Sequence, residues 1–397
     1  MAKRTVRDTE VEGKTVLVRV DFNVPMDIKT GVITDDSRIR AALPTITYLL
    51  DHRAKVILCS HLGRPGGRVV EGLRMTPVAQ RLSQLVDLPV STVSDCIGTA
   101  VEKAADNLKG GEILLLENIR FYPQEEANDP SFAQALAKLA DIYVDDAFGT
   151  AHRAHASTVG VAKYLPAIAG FLMENELEAL SSILSTPEHP FGALLGGAKV
   201  TDKIGLIQNI LDKVDILLIG GGMAATFLKV QGYEVGLSFV EADKQEVAHQ
   251  LIEAAKQNGA SLFLPVDVMV SDSISEQATD ELVPIARIPP NKYIADIGHQ
   301  TVELFSQQIR QCRTVFWNGP MGVYEIPRFA QGTKALVELL ANLKATTIIG
   351  GGSTAEIVEE MKLTHKMTHV STGGGASLKF LEGKSLPGVA VLPDREH

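Results

Sequence analysis

Arginine, histidine and asparagine recur in this chain where apolar runs stop, and those run ends are where chemistry can be read first. Arg19-Val-Asp21-Phe-Asn23-Val-Pro25 closes one run, Ser60-His61-Leu-Gly63-Arg64-Pro65 a second and Glu117-Asn118-Ile-Arg120 a third. A fourth ends in Asp145-Asp-Ala-Phe-Gly-Thr-Ala-His152-Arg153-Ala-His155, and Arg38 stands at the expected start of the helix after the first run. Guanidinium forks grip phosphate and carboxylate through paired N–H bonds, so the set reads as a cradle for a small polyanion. Any one of these arginines alone is more readily a solvated surface charge. Surface charges have no reason, however, to gather at successive run ends. His152 and His155 taken alone read as structural.

A second chemistry follows residue 185. Gly196-Gly-Ala-Lys199-Val-Thr-Asp202-Lys203-Ile comes straight after an apolar run and reads as a helix start. Backbone N–H groups there would hold phosphate, with two lysines four apart on one helix face. Gly220-Gly221-Gly222-Met-Ala-Ala225 and Gly350-Gly351-Gly352-Ser353-Thr354-Ala355 both fit G-x-G-x-x-A, and a third triple glycine closes His369–Gly375. Each is weak alone, because tight strand-to-helix turns recruit glycine for backbone reasons. Together they mark where phosphates sit. Trp317-Asn318-Gly-Pro320-Met-Gly322 reads as a rigid turn at a strand end, with Glu325 beyond it in reach of a ribose hydroxyl.

These residues need a scaffold that brings run ends together. Near-continuous apolar runs predict strands at Thr15–Val20, Lys55–Ser60, Glu112–Glu117, Asp141–Asp145, Phe191–Gly196, Asp215–Gly220, Ser261–Leu264, Arg313–Trp317 and Thr346–Gly350. Helical patterns fall between them, with Thr76-Pro77 and Asp129-Pro130 as capped starts. Alternating strands and helices imply parallel sheets, whose ligands bind beyond the carboxyl ends of the strands. A length of 397 residues calls for two domains. Tyr164–Leu184, which ends in an amphipathic helix, is the best divider.

Composition excludes several classes. A net charge of −10 argues against nucleic acid as a partner. The charge is uneven, with 20 basic against 21 acidic residues up to Gly170 and 18 against 27 after it. A nearly neutral first half suits the half that receives an anion. Cys59, Cys96 and Cys312 have no paired spacing and read as reduced, buried thiols. MAKRTVRDTE lacks an apolar leader, and no apolar run is long enough to span a membrane. The GK[ST] tails at Gly13 and Gly383 lack the upstream glycine of a P-loop, having Asp8 and Leu378 in its place.

In order, RVDFNVP, SHLGRP, LLLENIRF, DDAFGTAHRAH, GGAKVTDKI, IGGGMA, FWNGPMGVYE, IIGGG and HVSTGGGASL resemble phosphoglycerate kinase, from near Thr15 to near Val391. The resemblance implies an α/β fold of two Rossmann-like lobes, each a mostly parallel sheet covered by helices, joined by a hinge helix. Residues 1–170 would bind 3-phosphoglycerate, with the tail 385–397 packing back on them. Residues 171–184 would form the hinge helix and 185–384 the nucleotide domain. The implied glycolytic reaction is reversible transfer between 1,3-bisphosphoglycerate and ADP, giving 3-phosphoglycerate and ATP, in line across a closing cleft. Such transfer asks for positioning and positive charge rather than a general base.

The resemblance also implies roles for residues. Asp21, Asn23, Arg38, His61, Arg64, Arg120 and Arg153 would bind the phosphoglycerate. Arg38, Lys199, Gly373 and Gly374 would serve the transferring group. Lys203, Gly220, Gly221, Gly298, Asn318, Pro320, Glu325, Gly351, Gly352, Ser353 and Thr354 would face the nucleotide. Mg²⁺ would accompany ATP or ADP, but no metal ligand is assigned, because Ser353 stands where the family has aspartate. A cytoplasmic monomer is implied, without membrane or nucleic acid. Two other readings stay open. The G-x-G-x-x-A turns allow an NAD(P)-dependent dehydrogenase, although Glu241, at the right distance for the ribose, opens a helix pattern instead of ending a strand. A catalytically inactive nucleotide-binding relative is the other.

Overall fold

Valine, leucine and isoleucine fill the central strands because helices cover both faces of a parallel sheet. In β1 (Thr15–Arg19), Val16, Leu17 and Val18 expose no surface. The computed structural model describes residues 2–27 and 30–395. Met1, Glu396 and His397, which the expected first domain and tail include, lie outside the described residues. The chain divides into two compact units, Met1–Glu178 with Ser385–His397, and Ala179–Lys384.

In the first unit β1 is joined by β2 (Lys55–Cys59), β3 (Val90–Thr92), β4 (Ile113–Leu115), β5 (Ile142–Asp145) and β6 (Ala167–Ala169). All pairs are parallel, in the order β3-β4-β2-β1-β5-β6. The carboxyl ends of β4, β2, β1 and β5 therefore lie side by side. Arg19 is opposite Cys59 on one flank and Asp145 on the other. Ile39, Ile46 and Leu49 of helix Ser37–Asp51, and Val78 and Leu82 of helix Thr76–Val86, pack with Val16, Val18, Val56 and Leu58 in one core. Full burial of such a side chain contributes about 1.5–3 kcal/mol. Asp129 Oδ1 caps helix Pro130–Ala137, accepting from Ser131 N at 2.9 Å and Phe132 N at 3.0 Å. Thr76, expected to cap its helix, is instead its first residue. Glu117 Oε1 takes the N–H of the preceding Met75 at 2.9 Å.

Helix Phe171–Ser185 crosses the division between the units, which falls between Glu178 and Ala179. The second unit holds β7 (Phe191–Leu195), β8 (Ile216–Ile219) and β9 (Ser261–Phe263). Next come β10 (Asp267–Ser271), β11 (Asp280–Pro284) and β12 (Tyr293–Ile297), then β13 (Thr314–Asn318), β14 (Thr346–Gly350) and β15 (His369–Val370). The large sheet is parallel, ordered β15-β14-β13-β7-β8-β9; a small antiparallel one is ordered β11-β10-β12. The lysine segment after β7 departs from expectation. It turns through Val200–Lys203, and helix Ile204–Ile210 begins only afterwards, so Lys199 and Lys203 do not share a helix face. Gly197 at φ +95° and a carboxylate that takes the N–H groups of Val200 and Thr201 hold this turn.

Candidate functional site

Strand order brings the arginine and histidine positions of the first unit to one sheet edge. Asp21 is buried just beyond β1, where its Oδ2 accepts from Arg38 Nη1 and its Oδ1 accepts from Asn23 N at 3.3 Å. Burial pushes the Asp21 carboxyl up, but Arg38, His61 and Arg19 outweigh it and leave the group below its ordinary value. Asn23 Oδ1 accepts the Gly63 N–H at 2.7 Å, and Arg120 Nη1 donates to the Gly63 carbonyl at 3.0 Å. The turns after β1, β2 and β4 are thereby tied at one glycine. Arg120 is 7% exposed, and burial lowers its pKa while Glu126, at 3.3 Å, opposes that. Arg64 and Arg153 are exposed, and Arg153 Nε donates to His152 Nε2 at 3.2 Å. His155 is buried, and its desolvation, reinforced by Arg120, Arg19 and Arg153, lowers its pKa to about 4.

In the second unit the turns after β7, β8 and β13 approach so closely that only glycine fits. A Cβ at Gly221, where φ is +65°, would lie 2.6 Å from Gly197 N and 2.7 Å from the Pro320 carbonyl. One at Gly220 would strike Met321 Sδ at 2.4 Å. Beside this junction opens a cavity of about 360 Å³ lined by Gly197, Gly221, Pro320, Met321, Tyr324, Glu325 and Ser353 among others. Lys203 is buried and donates to Asn318 Oδ1, with its pKa lowered by burial against the pull of Asp202 and Glu382. Asn318 Nδ2 is buried without a partner and faces Gly350 and Gly351. Thr354 Oγ1 accepts the Gly319 N–H at 2.8 Å. Lys199 is exposed, its Nζ 6.0 Å from the Phe239 ring. Gly373 donates to Ser371 Oγ at 3.1 Å, and Gly374 adopts φ +48° before helix Gly375–Leu381. Gly298 lies apart from the cavity lining, where a Cβ would meet the Asp267 carboxylate at 2.2 Å.

Several contributing residues escape sequence reasoning. Glu241 accepts from Val200 N, from Thr201 N at 3.2 Å and from Thr201 Oγ1 at 2.6 Å, so its carboxylate is committed to the lysine turn. No spacing signals that. Arg19 is fully buried within the first cluster, and the only hint is a charge ending an apolar strand. Tyr324, in the cavity lining beside Ser353, donates to Glu356 Oε2 at 3.1 Å. Among the described residues, no group of three or more His, Cys, Asp or Glu is placed to hold a metal ion.

The phosphoglycerate kinase family profile matches residues 6–384. The phosphoglycerate kinases of Dictyoglomus turgidum and Pelotomaculum thermopropionicum are each 55% identical to the chain, with 100% of both chains covered. Among solved structures, the phosphoglycerate kinase of Coxiella burnetii is 42% identical, covering 98% of this chain and 99% of its own, with a TM-score of 0.86. That of Pyrococcus horikoshii is 33% identical over 98% of each chain, with a TM-score of 0.87.

Proposed function

The chain belongs to the phosphoglycerate kinase family, and from that premise we propose that its two units divide the substrates of one reaction. The reaction is reversible phosphoryl transfer between 1,3-bisphosphoglycerate and ADP, giving 3-phosphoglycerate and ATP. In this reading residues 1–170 bind 3-phosphoglycerate through Asp21, Asn23, Arg38, His61, Arg64, Arg120 and Arg153. Residues 185–384 bind the nucleotide through Lys203, Gly220, Gly221, Gly298, Asn318, Pro320, Glu325 and Gly351–Thr354. Arg38, Lys199, Gly373 and Gly374 meet the transferring group. One observation carries the proposal: the arginine edge lies in one unit and the glycine-walled cavity in the other.

The chemistry needs little beyond placement. A carboxylate or an ADP β-phosphate is already a nucleophile, and fixed cations stabilise charge on the equatorial oxygens. Asn318 Nδ2 supports the nucleotide assignment, because a buried amide donor without a partner is costly until an acceptor arrives. We take Mg²⁺ to enter as part of the nucleotide substrate, since the phosphates and water can fill an octahedral shell. The dehydrogenase reading loses its ribose acceptor, because the Glu241 carboxylate is already bonded to the lysine turn. The buried, unpaired cysteines support a cytoplasmic setting, and a monomer follows the family pattern. No helix among the described residues is long and apolar enough to cross a membrane.

A coupled assay with 3-phosphoglycerate and ATP separates this reading from an inactive relative. Calorimetry then tests the division. Lys203→Ala is expected to weaken nucleotide binding at least tenfold while binary 3-phosphoglycerate affinity stays within about twofold. An equal loss of both affinities would defeat the assignment.

A further inference from the structure

Arg19 ends β1 with its guanidinium fully buried and every edge engaged. Its Nε donates to Ser157 Oγ at 2.9 Å, its Nη1 to the Val20 carbonyl, and its Nη2 lies 3.2 Å from His61 Nδ1. Ser157 in turn donates to Glu125, from Oγ at 2.6 Å and from N at 2.9 Å. The guanidinium is thus held from behind by a serine-bridged buried carboxylate, and its front edge is presented to the histidine.

That geometry fixes a proton. Arginine carries five N–H donors, no acceptor, and does not give up its charge. A ring nitrogen hydrogen-bonded to it must accept through its lone pair, and an imidazole that accepts at Nδ1 carries its hydrogen on Nε2. We propose that Arg19 is a positioning residue that fixes His61 as the neutral Nε2–H tautomer, so that His61 offers an anion a hydrogen-bond donor and no charge of its own. The donor role rests on the reading of His61 as part of the phosphoglycerate cradle.

The remaining groups around the ring agree. Asp21 Oδ1 lies 3.9 Å from Nδ1 and favours a charged ring, but Asp21 is itself engaged by Arg38 and Asn23. Burial first, then Arg19, Arg120 and Arg38, act against protonation and hold the His61 pKa well below its ordinary value. The benefit is constancy. A histidine titrating near neutrality would make anion binding vary with pH. A locked neutral donor leaves the charge of the cradle to arginines, which do not titrate in that range.

The test is nitrogen NMR of the full chain labelled with ¹⁵N in histidine, with the His61 ring assigned through His61→Gln. From about pH 5.5 to 8, Nδ1 is expected to resonate as an unprotonated nitrogen and Nε2 as a protonated one, without titration. In Arg19→Lys, checked for folding by thermal unfolding, one ammonium cannot reach Ser157, Val20 and His61 together. Its ring is expected to mix tautomers and to titrate, with 3-phosphoglycerate binding about tenfold weaker. A protonated Nδ1 or a titrating ring in the unmodified chain would overturn the proposal, and so would an unchanged ring spectrum in a folded Arg19→Lys. If that variant does not fold, the spectrum of the unmodified chain decides alone. Full 3-phosphoglycerate affinity in His61→Ala would remove His61 from the cradle and with it the donor role, an outcome the ring spectrum does not share.

Discussion

Asp21 holds Arg38 through a carboxylate that is itself buried, while the arginine side chain keeps 36% of its surface exposed. A cation anchored at one edge and open at the other can follow charge as it develops on a transferring group. In the proposed role at the transferring group, such a contact would act more on the transition state than on bound substrate. Arg38→Ala is therefore expected to lower kcat by about 100-fold or more, while the KM for 3-phosphoglycerate changes only a few-fold. Steady-state kinetics that find KM raised and kcat kept would assign Arg38 to binding alone. Ser353 is the converse case, a neutral hydroxyl in the cavity wall. Ser353→Asp adds a carboxylate there, and the Mg²⁺ concentration for half-maximal rate at fixed ATP is expected to fall several-fold. A Mg²⁺ titration in which the variant needs more metal would contradict this. The arginines gathered at one sheet edge were legible because a charge ending an apolar run is conspicuous. Arg19 ends such a run too, but nothing in its spacing tells that it is fully buried behind His61.

Single groups also govern whole elements. Asp296 in β12 accepts the Gly332 N–H at 2.8 Å, so it holds the first turn of helix Gln331–Ala341, and it also accepts the Ile297 N–H at 2.8 Å. Burial raises its pKa to about 7 from 3.8, despite those N–H bonds. The sign follows from proton counting. Between these two values the folded chain keeps a proton that the unfolded chain has released, so this contribution is full below the lower value and is lost as pH rises through about 7. Asp296→Asn cannot ionise. Its Tm is expected to decline less between about pH 5 and 8 than that of the unmodified chain. Thermal unfolding with an unchanged decline would show that Asp296 is not the titrating group. Element legibility follows burial in the same way. The central strands of both large parallel sheets could be read because they are apolar on two faces, whereas the short outer strands β3, β6 and β15 carry too little pattern to be read. β11, with Asp280, Glu281 and Leu282 exposed and Val283 buried, offers no continuous run, and so the antiparallel sheet went unread. The lysine turn was read as helix because the constraint on it, Glu241, lies about 40 residues away in sequence.

At the scale of the whole chain, the two ends belong to one unit. Lys3 Nζ donates to the Leu392 carbonyl at 2.8 Å and pairs with Asp394 at 2.9 Å, Arg4 N donates to the Pro393 carbonyl at 3.0 Å, and Arg395 pairs with Asp8 at 2.8 Å. Leu386, Val389 and Leu392 are buried, and Gly388 N donates to the Ala151 carbonyl at 2.8 Å, on the loop that carries Arg153. Each buried side chain contributes about 1.5–3 kcal/mol. Removal of residues 385–397 is expected to speed amide exchange in residues 2–8 and 148–169 at least tenfold and leave β7, β8 and β13 unchanged. Hydrogen-exchange mass spectrometry reads both, and uniform acceleration would refute the assignment of the tail to the first unit.

The same arrangement sets a timetable on the ribosome. Ala179–Lys384 is one uninterrupted stretch and has all its strands as soon as Lys384 has emerged. The unit that contains β1 is translated first yet waits for Leu386, Val389 and Leu392, which follow the whole of the second unit. Vectorial synthesis usually lets the leading domain finish first. In this protein the unit begun first is completed only after the second has been translated.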